Sequence, residues 1–451
     1  MNLMERNSGV NSGSDRCHDG AKRADQLDAL TIHPSNLNGI LRVPSSKSLT
    51  HRAIIAAALC SGTSVLQQVT LSNDVLETLN AIKALGVRWK FFEGTVLVFG
   101  GLLDELNNCN KSNNEIEIKC LESASTLRML APIVAALELN VKFVVSKRLF
   151  ERVCSCGEFL LKKGKNHYFK IAKPLKPGCF FLKKCLTSQF VSGLILILPA
   201  LEKHSLIVFD KEPESKNFLN LTVSFLNGIG IKIKKLKNGF SIPANQVYRP
   251  FSCNLEGDFS LASFFAIAGC FDKITLKGLN SNSSQGDLKI VEILQFCGAK
   301  VQFSNSGDLL IQPGLKTLNC FDLNLKNKLD LAPVLAILAS FCSGTSTLYG
   351  ISRLQFKESN RIDSILKLVN GLGGKARVCC NCLKIEGVGS FRGGVVNSFN
   401  DHRIAMAATV SSCASEREIV LLGAKCVSKS WPGFFTGFKS LGGFVDGFGV
   451  E

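Results

Sequence analysis

A chain of 451 residues exceeds the size at which a single hydrophobic core stops growing, so two or three domains are expected. Apolar residues make up 46 % and charged ones 20 %, ordinary globular usage that excludes a largely disordered chain. A net charge of +17 admits nucleic acid, an anionic membrane or small polyanionic substrates. The basic clusters Lys183-Lys184 and Lys232-Ile233-Lys234-Lys235 are short, scattered and poor in aromatics, which argues against nucleic acid.

Residues 1–27 are polar and rich in Gly, Ser and Asn, yet carry Glu5, Asp15, Asp19 and Asp25, unlike an acid-poor transit peptide. They read as a disordered extension. The longest apolar stretches, Phe190 to Leu201 and Leu329 to Cys342, fall short of the roughly 18 to 20 residues that span a bilayer, so no membrane role is expected. Many of the 18 cysteines sit inside apolar runs and read as reduced thiols of a cytoplasmic protein. Neither Cys379-Cys380-Asn381-Cys382 nor Cys154 with Cys156 is joined by a second pair at zinc spacing, so no metal is expected.

From Ala53 to Leu66 the pattern is helix, tight Gly turn, strand; a polar loop, a second periodic helix and Leu85-Gly86-Val87 lead into another strand. A close copy runs from Ala332 to Val378, where Cys342-Ser-Gly-Thr-Ser-Thr-Leu348 repeats the turn. Looser copies run from Ala131 to Phe169, Val191 to Ile233, Ala262 to Phe303 and Ile404 to Phe444. Six units suit two α/β domains of three βαβαββ-type units each, packed around buried helices. The polar Leu255-Glu-Gly-Asp258 marks a chain crossing, which gives residues 44–257 as one domain and 28–43 plus 258–451 as the other. After the strands of successive units come Asp74, Lys147 with Arg148, Ser215 with Lys216, Gln285 with Asp287, Lys357 with Glu358 and Arg361, and Lys429, a placement that suggests one shared cleft.

Pro44-Ser-Ser-Lys47-Ser48-Leu-Thr-His-Arg52 precedes a helix expected from near His51; it suits either an anion site or plain N-capping by its hydroxyls. In Phe356-Lys357-Glu358-Ser-Asn-Arg361-Ile-Asp363, Lys357 and Arg361 are expected on one helical face beside Glu358, as ligand contacts or as surface ion pairs. Asp401, before the apolar helix that follows Arg403, suits a cap, and Arg403 a bidentate grip on phosphate or carboxylate. Asp330 reads as a helix cap or, inside a cleft, as a general base.

Taken in order with Lys147–Arg152, Thr187-Ser-Gln189, Gln285-Gly-Asp287 and Lys429-Ser-Trp-Pro432, these motifs resemble the enolpyruvyl transferase family, in the branch whose acceptor is shikimate 3-phosphate. The resemblance runs from Asp28 almost to the C-terminus. It implies two inverted α/β domains, a monomer without metal or cofactor, and transfer of an enolpyruvyl group from phosphoenolpyruvate to the acceptor's 5-hydroxyl with release of phosphate, a step in aromatic amino-acid biosynthesis. By residue matching it implies acceptor contacts at Lys47, Ser48, Arg52, Thr187, Ser188, Gln189, Ser215, Asp330 and Lys357. Phosphoenolpyruvate would meet Lys47, Ala124, Arg152, Gln189, Arg361, Arg403 and Lys429, with Lys47, Asp330, Glu358 and Lys429 in catalytic roles.

Leu121-Glu-Ser-Ala-Ser-Thr-Leu-Arg128 departs from the family's Gly-Asn-x-Gly-Thr loop. The methyl of Ala124, where a glycine is common, is expected to crowd the donor pocket and reduce sensitivity to phosphonates such as glyphosate. The carboxylate of Glu122 calls for a cation, with Arg128, Arg152 or Lys47 the expected partner. Phe218 stands where a Tyr is common and Arg353 where an Asn is. The alternatives are the sister enzyme acting on UDP-N-acetylglucosamine, whose Lys-Asn pair and reactive Cys loop are missing here, and a basic protein of the same fold with impaired catalysis.

Overall fold

A computed structural model of the chain describes residues 28–104, 114–154, 160–182, 187–213 and 215–447. The N-terminal extension 1–27, the Lys183-Lys184 pair and Cys156 lie outside the described residues. The described helices are α1 (Lys47–Leu59), α2 (Asn73–Ala84), α3 (Ala124–Ala136), α4 (Lys147–Cys154), α5 (Ser188–Ile197), α6 (Lys216–Gly228), α7 (Phe259–Ala268), α8 (Ile290–Cys297), α9 (Ala332–Phe341), α10 (Arg361–Gly371), α11 (His402–Val410) and α12 (Phe434–Ser440).

The odd-numbered helices are apolar on nearly every side, and a helix of that kind has to be buried all round. Every residue of α7 and of α9 is buried. The even-numbered helices are amphipathic: α2 buries Val75, Leu79 and Ile82 on one stripe and leaves Lys83 at its exposed last turn, where a cation suits the helix dipole.

Among the described residues, six four-stranded sheets carry these helices. In one of them Ile116–Lys119 runs parallel to Val141–Val144, with Ile116 opposite Val141; Phe143 then pairs antiparallel with Phe169 and Lys170 with Lys162. A strand, a buried helix, a parallel strand, an amphipathic helix and a hairpin make the unit. Val141 and Phe143 turn inward while Lys142 lies between them, the period-two alternation of a strand with one covered face. Two units borrow their first strand across the chain crossing: Ser252–Asn254 lies parallel to Thr63–Gln67, and Gly39–Arg42 parallel to Ile274–Lys277. The strand Ala29–Ile32 completes a further sheet against Ile419–Leu422 and Val445–Asp446.

The buried apolar residues form two clusters. One joins Leu30–Val43 to residues between Phe259 and Val445 and defines a first lobe; the other runs from Ala53 to Leu255 and defines a second. Within the second lobe α1, α3 and α5 touch one another, as do α7, α9 and α11 in the first. The backbones of α3 and α5 come so close that a Cβ on Gly193 would stand 2.5 Å from the Met129 carbonyl oxygen, so glycine is required there. The chain passes between lobes on two short segments held side by side, with Asp258 N–H donating to Pro44 O at 2.9 Å and Ser46 N–H to Glu256 O at 2.8 Å. A Cβ on Gly257 would lie 2.9 Å from the Gly278 carbonyl oxygen. This pairing puts the starts of α1 and α7 next to each other and opens the cleft beside them.

Cysteines 60, 120, 270, 297, 342 and 382 are buried free thiols, while Cys154, Cys179 and Cys380 are exposed. Among the described residues no cluster of His, Cys, Asp and Glu could hold a metal ion, and no helix is long and apolar enough to cross a membrane.

Candidate active site

The first turns of α1, α3, α5 and α11, with Asp258 before α7 and Asp330 before α9, line one cavity of about 500 Å³ between the lobes. Each helix start leaves backbone N–H groups without intrahelical partners and carries roughly half a positive charge. Four such helix starts border this space and favour an anion there, with the side chains of Asp258 and Asp330 between them.

Cap side chains take up some of the free N–H groups of these helices. Ser123 accepts from Thr126 N–H, Thr187 from Phe190 N–H, and Asp401 from Arg403 N–H. Helix α1 starts at Lys47, a turn earlier than its sequence suggests, and its cap residue Ser46 makes no capping bond; Asp258 of the crossing segment accepts Lys47 N–H instead, at 3.1 Å. Ser48 is thereby left facing the cavity.

Cations fill the walls. Arg52 is buried, its Nε on Thr222 Oγ1 at 2.7 Å and its terminal nitrogens on Ser192 Oγ and the Phe218 and Ser48 carbonyls, which orient the planar fork. Arg128 donates to Gln189 Oε1 at 3.1 Å, and Gln189 to Ser125 Oγ at 2.8 Å, linking the starts of α3 and α5. Arg152 of α4 reaches over to the Phe356 carbonyl of the first lobe at 3.3 Å. Arg403 stands 3.6 Å from Asp330.

Five carboxylates face them, Asp74, Glu122, Asp258, Asp330 and Glu358, and cations hold three of the five low. Asp74 receives Lys47 Nζ at 2.7 Å; burial alone would lift its carboxyl, but Lys47 and Lys429 outweigh burial and hold it below the usual range. Asp330 meets Lys357 Nζ at 3.2 Å and Arg361 at 2.7 Å; against the upward push of burial, Lys357, Arg403 and Arg361 hold it well below the usual range. Glu358 is likewise held low, by Arg361 at 2.6 Å and Arg152, against burial. These groups are ionised acceptors at neutral pH.

The structure corrects several expectations. Lys357 and Arg361 do not share a helical face: Lys357 follows a 3-10 turn, α10 begins at Arg361, and the two meet only at Asp330. Asp330 caps no helix. Glu122 finds neither Arg128, Arg152 nor Lys47; its carboxylate lies 3.6 Å from Lys429, which also donates to the Glu122 carbonyl at 2.9 Å. The reason is the turn before α3, which points Glu122 at the opposite lobe. Of the residues singled out as ligands or catalysts, all but Arg361 and Lys429 line the cavity. Arg361 is fully buried behind its wall, gripped by Asp330, Glu358 and Asp401, whereas Lys429 stands at its edge between Glu122 and Asp74. Asp74, Asp258 and Arg128 also face the space, and sequence reasoning gave none of them a role as a ligand or catalyst.

The family model for EPSP synthase (3-phosphoshikimate 1-carboxyvinyltransferase) matches residues 32–152 and 160–438, most of the chain. The chain belongs to the EPSP synthase family. It is 35 % identical over 431 residues to the 3-phosphoshikimate 1-carboxyvinyltransferase of Clostridium kluyveri, covering 93 % of this chain and 99 % of that protein. The enzyme of the same name from Clostridioides difficile is 34 % identical over 438 residues, again covering 93 % and 99 %. Among solved structures, EPSP synthase of Acinetobacter baumannii superposes with a TM-score of 0.76 at 21 % identity, covering 93 % of this chain and all of that one. The enolpyruvyl transferase NikO of Streptomyces tendae gives 0.70 at 14 % identity, over 93 % and 98 %. At such identities the superpositions speak for the fold, two inverted α/β halves, which in this member of the EPSP synthase family are the two lobes.

Proposed function

We propose that the cleft transfers the enolpyruvyl group of phosphoenolpyruvate to the 5-hydroxyl of shikimate 3-phosphate and releases phosphate. The observation that carries the reading is the convergence of four helix starts, with Lys and Arg from both lobes, on a space in which Asp74, Asp330 and Glu358 are already ionised. Two substrates bearing two phosphates and two carboxylates need such a surplus of fixed positive potential once water is excluded.

Shikimate 3-phosphate is assigned to the side lined by Ser48, Arg52, Thr187, Ser188, Ser215 and Lys357, and phosphoenolpyruvate to Ala124, Arg152, Arg403 and Lys429, with Lys47 and Gln189 between them. Arg361 serves the donor side indirectly, by fixing Asp330 and Glu358. In the first step Asp330 takes the proton of the 5-hydroxyl as its oxygen bonds to C2 of phosphoenolpyruvate, while Lys47 delivers a proton to C3. In the second, Glu358, ionised and without a proton to give, accepts one from the new methyl group as the C2–O bond to phosphate breaks. Lys429, Arg152 and Arg403 offset the charge that gathers on carboxylate and phosphate.

Phosphate release by the purified protein is the test, with phosphoenolpyruvate and either shikimate 3-phosphate or UDP-N-acetylglucosamine. Release only with the first acceptor is expected. Release only with the second would move the chain to the sister activity, and release with neither would refute the enzyme reading.

A further inference from the structure

One carboxylate at the cleft takes no part in that chemistry. Glu77, on α2 one turn after Asp74, accepts two backbone N–H groups: Glu122 N–H at Oε1, 3.3 Å, and Ser123 N–H at Oε2, 3.0 Å. Those N–H groups belong to the turn that enters α3, whose first residues Ala124 and Ser125 border the cavity. The other face of the same turn offers the Glu122 carbonyl to Lys429 of the first lobe at 2.9 Å. Thr78, the neighbour of Glu77, fastens α2 to α3 beneath the turn: its hydroxyl lies 2.6 Å from that of Thr126, which donates to the cap Ser123 Oγ at 2.8 Å. A side chain holding two consecutive N–H groups fixes the path of the turn in a way one hydrogen bond does not.

We propose that Glu77 is a positioning residue for the donor side of the reaction, holding the Leu121–Ala124 turn so that the start of α3 faces phosphoenolpyruvate and the Glu122 carbonyl receives Lys429 from across the cleft. The inference rests on the functional reading given above and adds a residue to it.

The charges facing Glu77 make the clamp sensitive to pH. Asp74 lies on its own helix, Lys429 and the Glu122 carboxylate lie beyond the turn, and the buried Cys120 thiol ends the segment that leads into it. Burial, and next Asp74, raise the Glu77 carboxyl to about 7, while the two N–H bonds and Lys429 pull the other way. An ionised carboxylate accepts both N–H groups; a protonated one turns one oxygen into a donor and releases part of the turn. The clamp is therefore half formed near pH 7, complete well above it, and weakens as pH falls further.

Glu77→Gln keeps the size but presents an NH2 group to one of the two N–H donors. Its KM for phosphoenolpyruvate should rise about 10-fold, as loss of a charge-assisted bond implies, with kcat and the KM for shikimate 3-phosphate within about twofold of wild type. The ratio of kcat/KM for phosphoenolpyruvate, wild type over variant, should fall toward one between pH 8 and pH 6, and taking the ratio cancels titration of the substrate's own phosphate. Without substrates, amide exchange over 121–124 should quicken in Glu77→Gln and be partly restored in Glu77→Asp. An unchanged KM with unchanged exchange, or a ratio that stays level with pH, overturns the proposal. Should Glu77→Gln not fold, Glu77→Asp takes the same measurements and must show the smaller change in KM and exchange. Should wild type release no phosphate, the functional reading falls, and the amide exchange alone decides whether Glu77 holds the turn.

Discussion

Lys429 joins the two lobes at a single atom: its Nζ donates to the Glu122 carbonyl at 2.9 Å and stands 3.6 Å from the Glu122 carboxylate and 4.0 Å from Asp74. One cation thus neutralises the acidic side of the donor pocket and ties down the turn that forms its floor. Lys429→Met removes both effects while keeping the aliphatic stem. We expect kcat/KM for phosphate release to fall about 10²- to 10³-fold, with the loss mostly in turnover and in phosphoenolpyruvate affinity. Shikimate 3-phosphate binding, measured by calorimetry without the donor, should stay within about threefold of wild type.

Arg361 has no contact with the cavity and still governs it. Its guanidinium meets Asp401 at 2.8 Å, Asp330 at 2.7 Å and Glu358 at 2.6 Å, and no part of the side chain is exposed. Removing it leaves three carboxylates facing one another without their common cation. Arg361→Met should destabilise the first lobe by about 3–5 kcal/mol, read from Trp431 fluorescence during urea unfolding in a Trp89→Phe background. Arg361→Lys should recover only part of this, because a point charge does not bridge three acceptors. A loss below about 1 kcal/mol would mean that the carboxylates shed their charge instead.

Those two residues show what the sequence makes legible and what it conceals. Lys47, Ser48 and Arg52 stand out as a candidate anion site because hydroxyls, a Lys and an Arg precede an apolar run, a locally written signal that still misplaces the start of α1 by a turn; Thr187 is marked only by the resemblance to the family. The repeats are legible for a similar reason, since the units at Ala53–Leu66 and Ala332–Val378 carry the same Gly turn and apolar period and the looser copies share the period. Arg361 is a ligand contact only by the resemblance to the family; its motif alone leaves ligand contact and ion pairing open, because an Arg in a polar motif looks alike whether it faces substrate or three carboxylates. The true cap of α1 comes from Asp258, 211 residues further on, and Glu77 meets a turn 45 residues away. Contacts of that kind are set by how helices pack, and no local period carries them.

Ala124 is the first residue of α3, nearly buried and bordering the cavity, where its methyl takes space that a glycine would leave open. Ala124→Gly should lower the KM for phosphoenolpyruvate and make the protein more sensitive to glyphosate, about 10-fold or more in the inhibition constant, since a displaced methyl is worth roughly 1–3 kcal/mol in a tight pocket. The cost to helix stability is at most about 1 kcal/mol. Equal inhibition of both proteins would show that the methyl points away from the inhibitor.

His51 gives the fold an acid limit. It is fully buried, with Nδ1 2.6 Å from Thr78 Oγ1 and Nε2 without a hydrogen-bond partner, and burial above all, helped by Lys47 and Arg52 against Asp74, lowers it to about 3. The unfolded chain binds a proton there near pH 6.5, and the folded one does not until about 3. Stability from this group is therefore complete above pH 6.5 and lost as pH falls toward 3, at about 1.4 kcal/mol per pH unit. Between pH 6.5 and pH 5 the second lobe should lose about 2 kcal/mol through His51 alone. Trp89 fluorescence during urea unfolding at the two pH values, in a Trp431→Phe background, measures it. In His51→Gln that part of the pH dependence should disappear although the variant is less stable at pH 7; an unchanged slope would assign the acid limit to other groups of the second lobe.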